Sequence, residues 1–328
     1  MRAACYERVG PASEVLQLVD IPTPTPGVGE VRVRLQCSGV NPSDVKTRAG
    51  ARSRDLPFPR IIPHSDGAGV IDAVGDGVTQ LEPGDRVWVW NAAWGRPDGT
   101  AAEFVVLPAE QAVPLPANTG PEAGACLGIP ALTAWHAVHC HGGVRGQTVL
   151  IPGGAGAVAY YAIQMARDAG AARVLSTVSS EAKAEIAREA GAEAVFNYRE
   201  QDVAAEVMEV TGGVGADRII ELEFAANAAT DVAAVRANGL IVAFGANAGE
   251  VHIPFFPSIL KNVLLQFFIV YNLPPEDRAA ATAGVTDLLE RGVLRHRIAE
   301  RLPLAEIATA HDHVESGAVA GNVIIDLE

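Results

Sequence analysis

Residues 147–169 constrain the chain more than any other stretch. Gln147-Thr-Val-Leu-Ile-Pro152 reads as a short apolar strand, 158–169 as a helix, and Gly153-Gly-Ala-Gly-Ala-Val-Ala159 joins them. That order makes a βα unit whose turn lets backbone N–H groups approach a pyrophosphate at the positive end of the helix. The same turn without a ligand would be an ordinary glycine-rich connection, but the strands and helices C-terminal to it argue for the dinucleotide. Strands are expected at 173–178, 194–198, 216–221 and 239–245, with helices at 181–190 and 225–236. Strand and helix alternating at this pitch build a parallel sheet with helices on both faces, a doubly wound α/β layer.

The first ~120 residues read differently. Val31-Arg-Val-Arg-Leu35 alternates apolar and charged side chains, as a half-buried strand does. Gly67 to Gly75 and Asp85-Arg-Val-Trp-Val-Trp90 read as further strands, separated by turns such as Pro83-Gly84 and Pro97-Asp98-Gly99. This is an all-β region, read as a partly closed barrel. The tail reads as helices at 275–291 and 305–316 and a closing strand at 322–327.

Charge narrows the partners. A formal net charge of −14 argues against nucleic acid and against anionic membrane surfaces. The apolar stretch 263–270 is far too short to span a bilayer, and the start lacks the apolar core of a signal peptide, so a cytoplasmic location is expected. The four cysteines, Cys5, Cys37, Cys126 and Cys140, form no C-x-x-C pair and read as reduced thiols.

The end of the second strand of the layer bears on the cofactor. An NAD-preferring sheet presents Asp or Glu there for the ribose hydroxyls. Here the strand ends Val178-Ser179-Ser180, with Lys183 a turn further on. Serines and a lysine suit a 2′-phosphate, so NADPH is expected. Lys183 also reads as a solvated helix residue, and Glu181 could approach the ribose if the turn shifted.

Several pieces, in order and along almost the whole length, resemble the zeta-crystallin-like quinone reductases of the medium-chain dehydrogenase/reductase superfamily. They include Ser13-Glu-Val-Leu, Ser38-Gly-Val-Asn-Pro42, Gly84-Asp-Arg-Val87, Gly128-Ile-Pro-Ala-Leu-Thr-Ala134, and Gly191-Ala192 with Asn197-Tyr198-Arg199-Glu200. The resemblance implies a GroES-like catalytic domain over 1–123, a Rossmann NADPH-binding domain over 124–266, and a C-terminal segment, 267–328, completing the catalytic domain. It implies a substrate cleft between the domains and a homodimer formed through an edge strand at 263–271. Gly153, Gly156, Ala157 and Val158 match the cofactor loop. Ser179, Lys183 and Tyr198 match positions holding the 2′-phosphate, and Phe244 and Gly245 the segment beside the nicotinamide ribose. Asn41 and Thr133 match positions lining the nicotinamide and substrate site.

The chain also departs from the pattern. Ala157 and Ala159 replace loop glycines, and Tyr160 and Tyr161 stand where smaller residues are usual. Lys46 and Arg52 replace two pocket tyrosines, and Asn322 replaces a lysine before the last strand. These changes weaken the transfer of substrate specificity.

Zinc enzymes of the superfamily need about three Cys, His or carboxylate ligands. At the matching places stand Asn41, Ser65 and Ile129, and His64 is one residue off. His136, His139 and His141 fall near a helix end, where histidines are structurally ordinary. No metal is expected. The reaction implied is NADPH-dependent reduction of a small quinone or enone, with Asn41, Lys46 and Arg52 stabilising negative charge on the acceptor oxygen. Two alternatives stand beside it: an enone or alkenal double-bond reductase, and a non-catalytic NADPH-binding protein of the lens-crystallin or RNA-binding type.

Overall fold

A computed structural model of the chain describes residues 1–51 and 53–327. It divides into two compact units, Met1–Pro130 with Val285–Gly292 and His296–Glu328, and Ala131–Gly284 with Val293–Arg295. Residues 267–284, expected with the C-terminal segment of the catalytic domain, thus group with the nucleotide-type unit. Packing accounts for this: Phe268 N donates to Ala243 O at 3.2 Å, and a Cβ on Gly284 would lie 2.0 Å from Trp135 Nε1.

In chain order the first unit holds β1 (Arg2–Cys5), β2 (Gln17–Asp20), β3 (Glu30–Val40), β4 (Asp66–Val74), β5 (Arg86–Val89), β6 (Phe104–Pro108) and β7 (Ala112–Pro114). The second holds β8 (Thr148–Ile151), β9 (Arg173–Val178), β10 (Ala194–Asn197), β11 (Ala216–Glu221), β12 (Val235–Ala243) and β13 (Leu264–Phe267). The chain then returns to the first unit with β14 (Ile298–Pro303) and β15 (Asn322–Asp326).

The first unit is built on a sheet ordered β14-β15-β3-β4-β5-β7, with β6 also paired to β3. Strand β3 alternates as its sequence predicts: Val31, Val33, Leu35 and Cys37 are buried while Arg32, Arg34 and Gln36 are not. Its long antiparallel ladder with β4 pairs Gly39 with Asp66, which delivers Asp66 beside the end of β3. The inner faces close a core of Val31, Val33, Ile71, Val87, Val105 and Ile325. A helix, Pro42–Arg48, starts directly after β3.

The second unit is a parallel sheet ordered β10-β9-β8-β11-β12-β13. Its central strands are apolar on both faces, as strands covered by helices must be. Arg218, in the middle of β11, breaks that pattern and is 2% exposed. Its guanidinium donates to the carbonyls of Ala137 and Val138 at 3.0 Å and of Cys140 and Gly143 at 2.9 and 3.1 Å. A cation thereby satisfies the carbonyls left open where the helix Leu132–His139 ends. The cysteines are free, and no helix among the described residues is long and apolar enough to cross a membrane.

Replacing Arg218 with Met keeps the apolar stem and strands those carbonyls. Urea unfolding should show a loss of about 3 kcal/mol, the scale of a broken buried charged network.

Candidate functional site

The glycine loop is held from both sides. Gly153 has φ +69°, a conformation that side chains disfavour, and turns the chain out of β8. Gly154 N donates to Thr177 O at 3.0 Å and Gly153 N to Thr177 Oγ1 at 3.3 Å, so the loop is tied to the end of β9. Gly156 is the N-cap of the helix Ala157–Asp168 and has no side chain to close it. The first N–H groups of that helix, at Ala157 and Val158, are therefore available to an anion, which fits a dinucleotide pyrophosphate. Tyr160 and Tyr161 follow in the same helix. Both are buried, and Tyr160 reaches Glu189 at 3.3 Å.

Ser179, Lys183 and Tyr198 come together at the ends of β9 and β10. Tyr198 N donates to Val178 O at 3.0 Å, next to Ser179. Ser180 caps the helix Glu181–Ala190 through Lys183 N, which sets Lys183 one turn in. Tyr198 is half exposed. Glu181, the acid that could approach a ribose, pairs with Arg188 at 2.5 Å on the same helix.

Phe244 and Gly245 follow β12 and are laced to the end of β11: Phe244 N donates to Glu221 O at 3.0 Å and Phe224 N to Gly245 O at 2.9 Å. Beneath this lacing lies a buried acid pair that sequence reasoning missed. Glu221 accepts from Glu223 N, from Asn227 Nδ2 at 3.2 Å, and from Asp231. With those donors around Glu221, the shared proton resides on Asp231, whose pKa burial and the Glu221 charge push up to about 9. Burial likewise raises Glu221.

In the β-rich unit Asn41 is the N-cap of the helix Pro42–Arg48, and its N–H donates to Asp44 Oδ2 at 2.8 Å. Its side chain is buried and donates from Nδ2 to Asp66 Oδ2 at 2.8 Å. Lys46 is half-buried in the last turn of the same helix. Arg52 lies outside the described residues. Thr133 is buried in the helix Leu132–His139 of the other unit.

Arg48, His64, Asp66 and His311 carried no signal that singled them out for one another. Arg48 is buried and bonds to Gly10 O and to Glu315 Oε2, both at 2.6 Å. His64, held at φ +76°, places Nδ1 2.8 Å from Ser38 Oγ and Nε2 2.9 Å from His311 Nε2. Desolvation pulls His64 down to about 3 and His311 well below its usual value, so both are neutral. Only one hydrogen fits between the two Nε2 atoms, and His311 Nδ1 has no partner among the described residues. A bare lone pair there costs less than a bare N–H, so His311 Nε2–H donates to His64 and His64 Nδ1–H to Ser38. Ser38 then donates to Thr100 Oγ1 at 2.7 Å, and Thr100 to Asp66 O at 2.5 Å. An acid opening an otherwise apolar strand was the available sign of Asp66.

Ser65 and Ile129 are also buried. Among the described residues, no three His, Cys, Asp or Glu side chains are grouped to hold a metal ion.

Two family models match: alcohol dehydrogenase GroES-like domain over residues 27–117 and zinc-binding dehydrogenase over 157–287. A quinone oxidoreductase of Lama guanicoe is 31% identical, the alignment covering 100% of this chain and 98% of that protein. The chain belongs to the quinone oxidoreductases of the medium-chain dehydrogenase/reductase superfamily. It is an oxidoreductase with a GroES-like unit and a Rossmann unit. A mycobacterial protein solved with NADPH matches the fold with TM-score 0.89 at 29% identity, each chain covered fully at 100%. A structure described as an NAD-dependent alcohol dehydrogenase matches with TM-score 0.91 at 32% identity, also with 100% of both chains covered.

The acid pair sets a pH dependence. A carboxyl whose folded pKa is raised stabilises the fold fully below its unfolded value and loses that contribution as pH rises through the folded value. Stability should therefore fall as pH climbs from neutrality past about 9, and Asp231→Asn should flatten that decline in thermal melts run across the range.

Proposed function

We propose that the chain reduces quinones and related conjugated carbonyls with NADPH and without zinc. The donor set carries the reading. Where a catalytic zinc would need three ligands, Asn41, Ser65 and Ile129 offer an amide, a hydroxyl and an alkyl group. Direct alcohol oxidation relies on a Lewis acid, whereas a conjugated carbonyl is electrophilic already.

NADPH, when bound, supplies a hydride from its nicotinamide. Gly153, Gly156, Ala157 and Val158 cradle its pyrophosphate, and Ser179, Lys183 and Tyr198 hold the 2′-phosphate. Phe244 and Gly245 border the nicotinamide ribose, and Thr133 the nicotinamide. Asn41, Lys46 and Arg52 stabilise negative charge as it develops on the acceptor oxygen. The relative solved with NADPH supports the cofactor. The relative described as NAD-dependent sets the competing choice, and the pairing of Glu181 with Arg188 on its own helix favours NADPH.

The chain further acts as a homodimer. Strand β13 is the sheet edge, with Leu264 and Phe267 exposed, and Phe255, Phe256 and Leu260 add an apolar face beside it. Leu264→Lys should convert a dimer to a monomer in light scattering, and a monomeric wild type would refute the assembly.

The cofactor assignment is tested by Lys183→Ala. Loss of one charge-assisted bond should weaken NADPH about ten- to a hundredfold and leave NADH within about twofold. Equal losses for both would remove the phosphate role. The acceptor is tested by steady-state turnover on matched quinones and enones. Turnover of quinones is expected; activity confined to enones would make the chain a double-bond reductase, and tight binding without turnover a non-catalytic NADPH binder.

A further inference from the structure

Asp66 Oδ2 receives two N–H groups, Asn41 Nδ2 at 2.8 Å and Ile129 N at 3.0 Å. These partners occupy two of the three positions from which zinc-dependent members of the superfamily bind their metal. A carboxylate oxygen thus bridges places that a metal would otherwise organise.

The geometry of Asn41 is set by this bridge. Its amide nitrogen carries two hydrogens in a plane. With one hydrogen bonded to Asp66, the plane cannot rotate without leaving a buried donor unpaired, a cost of ~1–3 kcal/mol. The second hydrogen therefore has a defined direction.

Asp66 is itself immobile. It is fully buried, and its carbonyl ends the chain that runs from His311 through His64, Ser38 and Thr100. Space on the other side is closed: a Cβ on Gly128 would stand 2.3 Å from Asp66 Oδ1. The residue can neither swing nor be replaced freely by a larger one.

We propose that Asp66 is the positioning residue for Asn41: it holds one N–H of the amide so that the other is aimed at the acceptor oxygen. This rests on the reading of Asn41 as a donor to that oxygen. Asp66 touches neither substrate nor cofactor in this scheme and acts only through Asn41. A purely structural Asp66, serving only the turn at Ile129, would make the same bond to Ile129 N but would affect turnover whether or not Asn41 were present.

A double-mutant cycle separates the two. Asp66→Ala and Asp66→Asn are made alone and together with Asn41→Ala, with 1,4-benzoquinone as acceptor and NADPH Kd measured in parallel. Asn41→Ala and Asp66→Ala should each lower kcat/KM about tenfold or more, chiefly through kcat, with NADPH Kd within about twofold of wild type. Asp66→Asn keeps an acceptor oxygen but brings an extra N–H into the closed space by Gly128, so its loss should be smaller, about three- to tenfold. On Asn41→Ala neither position-66 change should add more than about twofold. Losses that multiply independently would overturn the role of Asp66 while leaving that of Asn41. Wild-type turnover by Asn41→Ala would overturn both. If Asp66→Ala does not fold, Asp66→Asn carries the cycle alone, and either wild-type turnover or an undiminished loss on Asn41→Ala overturns the proposal.

Discussion

One buried acceptor, Asp66 Oδ2, fixes the start of β4, the N-cap of the helix Pro42–Arg48 and the turn at Leu127–Ala131 relative to each other. None of the three can shift alone, because a buried donor deprived of its acceptor loses more than an exposed hydrogen bond contributes. The constraint continues into the fold through Thr100, Ser38, His64 and His311. That network works because burial keeps both histidines neutral, which lets His64 accept from His311 on one side and donate to Ser38 on the other. The positive φ of His64 is the local strain that the arrangement sustains.

The Rossmann unit is organised by a different means. Its sheet is apolar through the centre, and its polar groups gather at the carboxyl ends of the strands, where the glycine loop, Ser179, Tyr198 and the Phe244–Gly245 segment all lie. Two charged groups are buried in the same unit. Arg218 closes the end of the helix Leu132–His139, and the Glu221–Asp231 pair shares a proton beneath the lacing of β11 to β12. Both are costly to bury and both have their partners supplied by neighbouring backbone or amide groups.

Much of this was legible in the chain, and the reasons differ by element. Period-two alternation marked β3, and apolar runs between glycine turns marked β8, β9 and β11, because burial on one face or on both leaves those patterns directly. The glycine loop was legible because only glycine readily takes the φ that Gly153 adopts. Strand β12 begins at Val235, earlier than expected from 239–245, since Arg236-Ala-Asn-Gly resembles a turn and Asn238 does adopt a positive φ within it. The stretch 263–271, expected as an edge strand, contains the short edge strand β13, with exposed Leu264 and Phe267. The His64–His311 and Glu221–Asp231 pairs were not legible, since each joins residues whose proximity is created by tertiary packing. The two histidines stand 247 positions apart in the chain, and the residues between them carry no local trace of their contact.

The central claim is that reduction here is organised by hydrogen bonds from the protein instead of by a metal. The most direct test is NADPH-dependent quinone turnover on protein dialysed against a strong chelator, with zinc content measured on the same sample. The account predicts an unchanged rate at negligible zinc per chain. A rate that falls with zinc removal and returns on adding zinc would contradict it.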